Sequence, residues 1–203
     1  SLVDLTLNSG DGDIVTSEKN IQLQTYDPND QSQAAYKCSE KITAVEHDDG
    51  QSYWVVTHFI DKFYAFRVDA SGVNPIPVTT TTTPSITQLG YRRNGIGYMK
   101  ASPDGSKIAV CHRQNGNTEG QYSNNTGSVW LYDFDNQTGI ISNPLNVYPN
   151  SGPYGVEFSA EVTKLYVTSD DSVIQFDLEA PNPAATITTC LLYTSPSPRD
   201  GQI

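Results

Sequence analysis

An all-β chain built from repeated four-stranded antiparallel meanders is what this sequence predicts, and three observations predict it. The first is composition. Twelve Tyr, six Phe and two Trp in 203 residues, few helix formers and a scatter of Gly, Asn, Asp, Ser and Pro suit strands and turns. No long stretch carries helical apolar spacing. The second is the stretch Gly97 to Gly139, which reads GYMKASPDGSKIAVCH, then a polar insert, then GSVWLYDFDNQTG. Ser102-Pro103-Asp104-Gly105 is a tight turn, because Pro presets φ and Asp-Gly supplies turn chemistry. It leads into a strand over Lys107–Cys111, Val129–Phe134 makes another, and Asp135–Gly139 turns the chain toward a fourth. The third observation is that the phrase recurs, upstream as ITAVEHDDGQSYWVVTHFIDKFYAF and downstream as YGVEFSAEVTKLYVTSDDSVIQFDL. Aligning the turns places His47-Asp48-Asp49-Gly50 over Ser102-Pro103-Asp104-Gly105 over Ser159-Ala160-Glu161-Val162. Gly50, Gly105 and Val162 then stand 55 and 57 residues apart. Such a period fits propeller blades with insertions.

Each element follows in order. Residues 1–37 hold the outer part of a preceding blade and a connection, with alternating strands over Leu2–Leu7 and Ile21–Gln24. Asn8 to Asp13 invites a calcium reading, but an EF-hand register would put Leu7 at the first ligand position, so it is a polar turn. Residues 38–90 form a blade: Ile42–Val45 innermost, then Tyr53–Thr57, then Phe63–Val68, with Val78 starting a fourth strand or a loop that Pro84 ends. Residues 91–150 form a second blade, with a polar insert over 113–126. Residues 151–189 form a third, with strands over Pro153–Phe158, Lys164–Thr168 and Val173–Leu178 and a fourth near Ala185–Thr188. Cys190 to Asp200 reads CLLYTSPSPRD, which resembles the translation of a transposon-type sequencing adapter residue for residue. Residues 190–203 are therefore expected to be a non-native tail on a truncated chain. The expectation is an open arc of about three and a half blades from a propeller of about seven, within the four to eight such folds use.

Charge and composition exclude several function classes. The net charge is −11, which argues against nucleic acid, whose phosphates need Lys and Arg. No apolar run is long enough to span a membrane. The nucleophile elbow, metalloprotease helix, phosphate loop and paired CxxC are all missing from the sequence, and no cofactor is expected. Without the tail two cysteines remain, Cys38 and Cys111, expected as free thiols, with a disulfide between them as the alternative. Trp130, Tyr132 and Phe134 alternate on one strand face and read as core between blades.

The candidate site rests on strand register. His58 and His112 each follow the second strand of a blade, with Ser169 at the matching position of the third. In a four-stranded meander the second and third strands join on the face where blades link, commonly a propeller's ligand face. His58, His112 and Arg113 are therefore the candidate ligand-binding residues. No catalytic residue and no metal ligand is assigned, since two imidazoles without carboxylates make a weak metal set. His47 sits in a turn and is expected to face solvent.

With SPDGSKIAV, EFSAEVTKLYVTS and GYMKASPDG in view, the chain resembles the YVTN and lactonase-like β-propellers. More closely, ITAVEHDDGQSYWVVTH, IGYMKASPDGSKIAV, LYDFDNQTG and YGVEFS are similar to the propeller region of secreted proteins of gliding bacteria, which often end in a type IX secretion sorting domain. The likeness covers most of 1–189. It implies an exported, extracellular or cell-surface module of a larger chain, monomeric, that binds a protein or glycan ligand in adhesion or scaffolding without catalysis of its own. The alternative is a lactonase-like hydrolase with its site on the channel face. One departure is Ala160-Glu161-Val162 in place of Pro-Asp-Gly, which predicts a looser third hairpin.

Overall fold

A computed structural model describes residues 2–33, 38–86, 92–115 and 126–191. Among these the only helices are short 3-10 turns, and the strands gather into antiparallel sheets. Ahead of the blades, β1 (Val3–Asp4) pairs with β2 (Asp13–Ile14). The first blade orders β3 (Ile42–Glu46), β4 (Tyr53–Phe59) and β5 (Lys62–Asp69), with β6 (Gly72–Val73) and β7 (Val78–Thr81) on opposite ends of β5. The second orders β8 (Met99–Ala101), β9 (Lys107–His112), β10 (Gly127–Asp135) and β11 (Ile140–Ser151). The third orders β12 (Pro153–Phe158), β13 (Lys164–Ser169), β14 (Ser172–Asp177) and β15 (Thr188–Leu191). Four strands paired in chain order, three times over, make an open arc of a β-propeller.

The repeat register is visible in the backbone. Gly50, Gly105 and Val162 all adopt positive φ, at 63°, 71° and 57°. Each donates its N–H to the residue three before it, at 2.9, 3.0 and 3.0 Å. The third hairpin is thus closed as firmly as the others, against expectation. The Ser159 hydroxyl accepts from Lys164 N at 3.0 Å, as the Ser102 hydroxyl accepts from Lys107 N at 2.9 Å. The serine, not the Asp-Gly pair, is the part the two hairpins share.

Blades pack face to face, and the alternation of each strand supplies the apolar face. Between the first two blades lie Val56, Phe63, Ile108, Val110, Tyr132 and Phe134. Between the second and third lie Val129, Val147, Leu165, Val167, Ile174 and Phe176. The inner strands are stitched together directly: Ala101 N donates to Thr43 Oγ1 at 3.0 Å, and Tyr98 N to Tyr154 O at 2.8 Å. Trp130 and Tyr132 stack, and all three aromatics of β10 sit in or against the first cluster, as their alternation predicts.

Three expectations are corrected. Leu2–Leu7 is not a continuous strand: only Val3–Asp4 pairs, with Asp13–Ile14. The Asp4 carboxylate accepts from both the backbone and the hydroxyl of Thr6, which turns the chain after two residues. No strand forms over Ile21–Gln24; Leu23 and Tyr26 instead pack on Phe59, Tyr64 and Phe66 of the first blade. The fourth strand of the third blade begins at Thr188 and not at Ala185. Pro183–Ala185 makes a 3-10 turn, and the Thr186 hydroxyl accepts from Asp177 N at 2.8 Å, so pairing with β14 starts later. That strand takes in the first two residues of the adapter-like stretch, and residues 192–203 lie outside the described residues.

Candidate functional site

At the edge where the second strands end, three equivalent positions carry His58, His112 and Ser169. The structure brings His58 and His112 together, with ring centroids 5.1 Å apart and edge to face. It does not leave them on a surface. They are 2 % and 0 % exposed. Phe63 meets His58 from the other side at 4.7 Å. His58 Nε2 and both nitrogens of His112 make no hydrogen bond among the described residues.

A third polar group is buried with them. Lys41, just before β3, is 1 % exposed, and its ammonium donates to the carbonyls of Gly95 and Ile96 at 3.1 and 3.2 Å. Gly97 follows at φ 129°, and its N–H donates to Glu40 Oε1 at 2.6 Å. A Cβ at Gly97 would stand 2.0 Å from the Cys111 carbonyl oxygen, so only glycine allows this approach. Burial, then the Lys41 charge, pushes His58 down to about 3, and the same causes hold His112 well below its ordinary value. Burial lowers Lys41 to about 8 and raises Cys111 to about 12. The imidazoles are neutral at pH 7 and the thiol is protonated, so neither is poised as an accessible base or nucleophile.

Arg113 leaves this buried layer and turns to the third blade. Its Nη1 donates to the Gly152 carbonyl and lies 3.4 Å from Asp170 Oδ1. Asp170 is held at φ 49° in the turn after β13, with its carboxylate 60 % exposed. Arg113, Asp170, Tyr154 and Thr168 line a cleft of about 300 Å³. Thr168 also lines an adjoining recess of about 260 Å³ with Tyr98, Tyr166 and Val173. The Tyr98 and Tyr154 rings, both half exposed, one just before β8 and the other on β12, stand 5.9 Å apart and edge to face.

The three predicted residues therefore divide. His58 and His112 are sealed between blades, and Arg113 alone reaches an open cleft. Most of the polar insert, residues 116–125, lies outside the described residues. His47 is also buried, with its ring stacked on Trp54 at 5.3 Å and its Nδ1 accepting from Asp49 N, because the indole offers an apolar face beside the turn. Lys41, Tyr98, Tyr154 and Asp170 were not singled out from the sequence. Asp170 was findable: it stands 57 residues after Arg113, the offset that relates Gly105 to Val162. Among the described residues no group of three His, Cys, Asp or Glu could hold a metal ion, and no helix is long and apolar enough to cross a membrane.

Solved structures similar to this chain include two putative 6-phosphogluconolactonases. One, from Bacteroides fragilis, is 16% identical with a TM-score of 0.47, over 72% of this chain and 36% of that one. The other, from Bacteroides uniformis, is 16% identical with a TM-score of 0.49, over 83% of this chain and 44% of that one. Hsv2p of Kluyveromyces lactis is 12% identical with a TM-score of 0.42, over 73% and 40%. This chain thus spans well under half the length of these proteins. No family model matches. No curated protein matches either, so the likeness to exported proteins of gliding bacteria gains no support there.

Proposed function

We propose that this arc supplies part of the ligand face of a lactonase-like propeller, and that a neutral, hydroxyl-bearing lactone ring occupies the cleft between Arg113 and Asp170. The observation that carries this reading is the pairing itself. A guanidinium and an exposed carboxylate, presented by successive blades, set a donor beside an acceptor just after the second strands β9 and β13. Asp170 already offsets the Arg113 charge and the chain carries −11 overall, which favours a neutral ligand over a polyanion. The fold itself selects no chemistry.

In this reading Arg113 donates to the lactone carbonyl oxygen and stabilises the negative charge that develops there. Asp170 takes a proton from a water molecule as that water adds to the carbonyl carbon. The tetrahedral intermediate collapses by breaking the ring C–O bond. The departing alkoxide recovers the proton from Asp170, and the product is a hydroxy acid. His58 and His112 take no part, since both are buried away from the cleft surface. The test is hydrolysis of a panel of aldono-1,5-lactones by the chain and its variants. Asp170→Asn is expected to lower kcat by about 100-fold or more. Arg113→Ala is expected to lower kcat/KM by a similar factor. Turnover that neither substitution changes would overturn the reading.

The second reading is a secreted or cell-surface module that binds a glycan or protein without turnover. The half-exposed Tyr98–Tyr154 pair favours it, because aromatic faces beside a polar cleft suit saccharide stacking. Saturable glycan binding that Tyr154→Ala abolishes, with no lactone hydrolysis, would select this reading over the first.

A further inference from the structure

We propose that the His58–His112 contact is an acid-operated latch between the first and second blades, which opens that junction when the rings are protonated and leaves the second and third blades joined. The geometry carries it. The two rings come from different blades and meet edge to face at 5.1 Å, wholly buried. A charge on either ring would lie next to the other ring and near the Lys41 ammonium, which β3 places in the same layer.

Among the described residues the surrounding groups give no counter-charge to the rings. Glu40 is engaged by Gly97 N–H. Arg113 is turned to Gly152 and Asp170. Cys111 points across its strand to the Gly155 carbonyl at 3.6 Å. Phe63 is apolar, and the Tyr132 hydroxyl beyond it donates to Thr83 O. At the other junction the matching position is Ser169, which does not titrate in this range. One proton-sensitive seam and one insensitive seam are thus built from the same strand register.

The sign follows from linkage. Burial and Lys41 hold His58 at about 3 and His112 well below its ordinary value. Opening rehydrates both rings and returns them to about 6.5. The open form therefore binds more protons, so the junction is stable above about pH 6.5 and loses stability as pH falls below it. Lys41, lowered to about 8, is charged in both forms below that value and adds no slope between pH 6 and 5.

Both tryptophans report on this seam. Trp54 is buried in the first apolar cluster and Trp130 packs against it, while the third blade has no tryptophan. Opening is followed by tryptophan fluorescence, and the third blade by amide hydrogen exchange of β13 and β14. Between pH 6 and 5 the opening constant is expected to rise by about 60-fold, approaching the limiting two-proton slope of about 100-fold per unit. His112→Phe should reduce that to about 10-fold, and the His58→Phe/His112→Phe pair should abolish it. Should the pair not fold, the wild-type chain decides alone: a fluorescence change that precedes any loss of protection in β13 and β14 supports the latch. Loss of both signals together, or an unchanged slope in His112→Phe, overturns it.

Discussion

The two blade junctions are built from the same register and differ in where they put their polar groups. The first encloses His58, His112 and Lys41 beneath the end of its inner strands. The second keeps Cys111 as an apolar filler and carries its charges, Arg113 and Asp170, out to an open cleft. At its far end the first junction adds an anchor that the second lacks. The Trp54 ring packs over Gly139, and its N–H donates to the Asn136 carbonyl at 2.8 Å. Buried polar groups without partners cost stability, so the first seam is the strained one and the indole anchor holds it from the other side. The second seam combines apolar burial with bonds near its surface, Tyr98 N to Tyr154 O at 2.8 Å and Arg113 to the Gly152 carbonyl among them. On the proposals above, the same repeat yields a switchable joint and a permanent one, with the candidate ligand cleft at the second.

The comparison breaks most severely at the second seam. Phe176 is fully buried among Leu165, Val167 and Ile174. Phe176→Ala should cost about 3–5 kcal/mol, as large cavities do. It should release hydrogen exchange in β13 and β14 first, with the tryptophan signal unchanged at the onset of denaturation. The counterpart at the first seam is Gly139→Ala. Its Cβ would stand 2.9 Å from the Trp54 ring, at a φ of 76° that L side chains rarely adopt. The indole N–H bond keeps the ring from swinging away. A cost of about 2–4 kcal/mol is expected from overpacking and backbone strain together, read as an early shift of tryptophan fluorescence in urea. If either substitution loosened both seams at once, the arc would be one cooperative unit and the contrast would fail.

The pattern of strands was legible because alternation and turn chemistry are local. Gly50 and Gly105 announced their hairpins, and the three inner strands of each blade lie where the repeat put them. Burial at the blade edges was not legible. His47 and His112 are polar residues at strand ends, and a single strand does not show that a neighbouring blade will cover them. Lys41 is hidden for the same reason: its partners are carbonyls 54 and 55 residues away. The Arg113–Asp170 pair was legible in principle, since the repeat aligns the two positions, but His58 and His112 drew attention to the residue type instead of the register. Leu2–Leu7 failed differently, where one Asp–Thr turn overrode six alternating residues.

The smallest expected effect concerns the third hairpin, where Val162 occupies the position of two glycines at φ 57°. A β-branched residue there is strained by about 1–2 kcal/mol. Val162→Gly removes that strain but gives up the partial packing of the valine on the second cluster, about 1 kcal/mol. It also frees the unfolded chain, at about 0.5–1 kcal/mol. These terms cancel to within about 1 kcal/mol, so urea midpoints of the two proteins should nearly coincide. The hairpin is closed by Ser159, whose hydroxyl accepts from Thr163 and Lys164, and Ser159→Ala should accordingly cost more than Val162→Gly. A gain above about 1.5 kcal/mol on introducing glycine would reverse that order. It would show that the turn residue, and not the serine, limits the stability of the third blade.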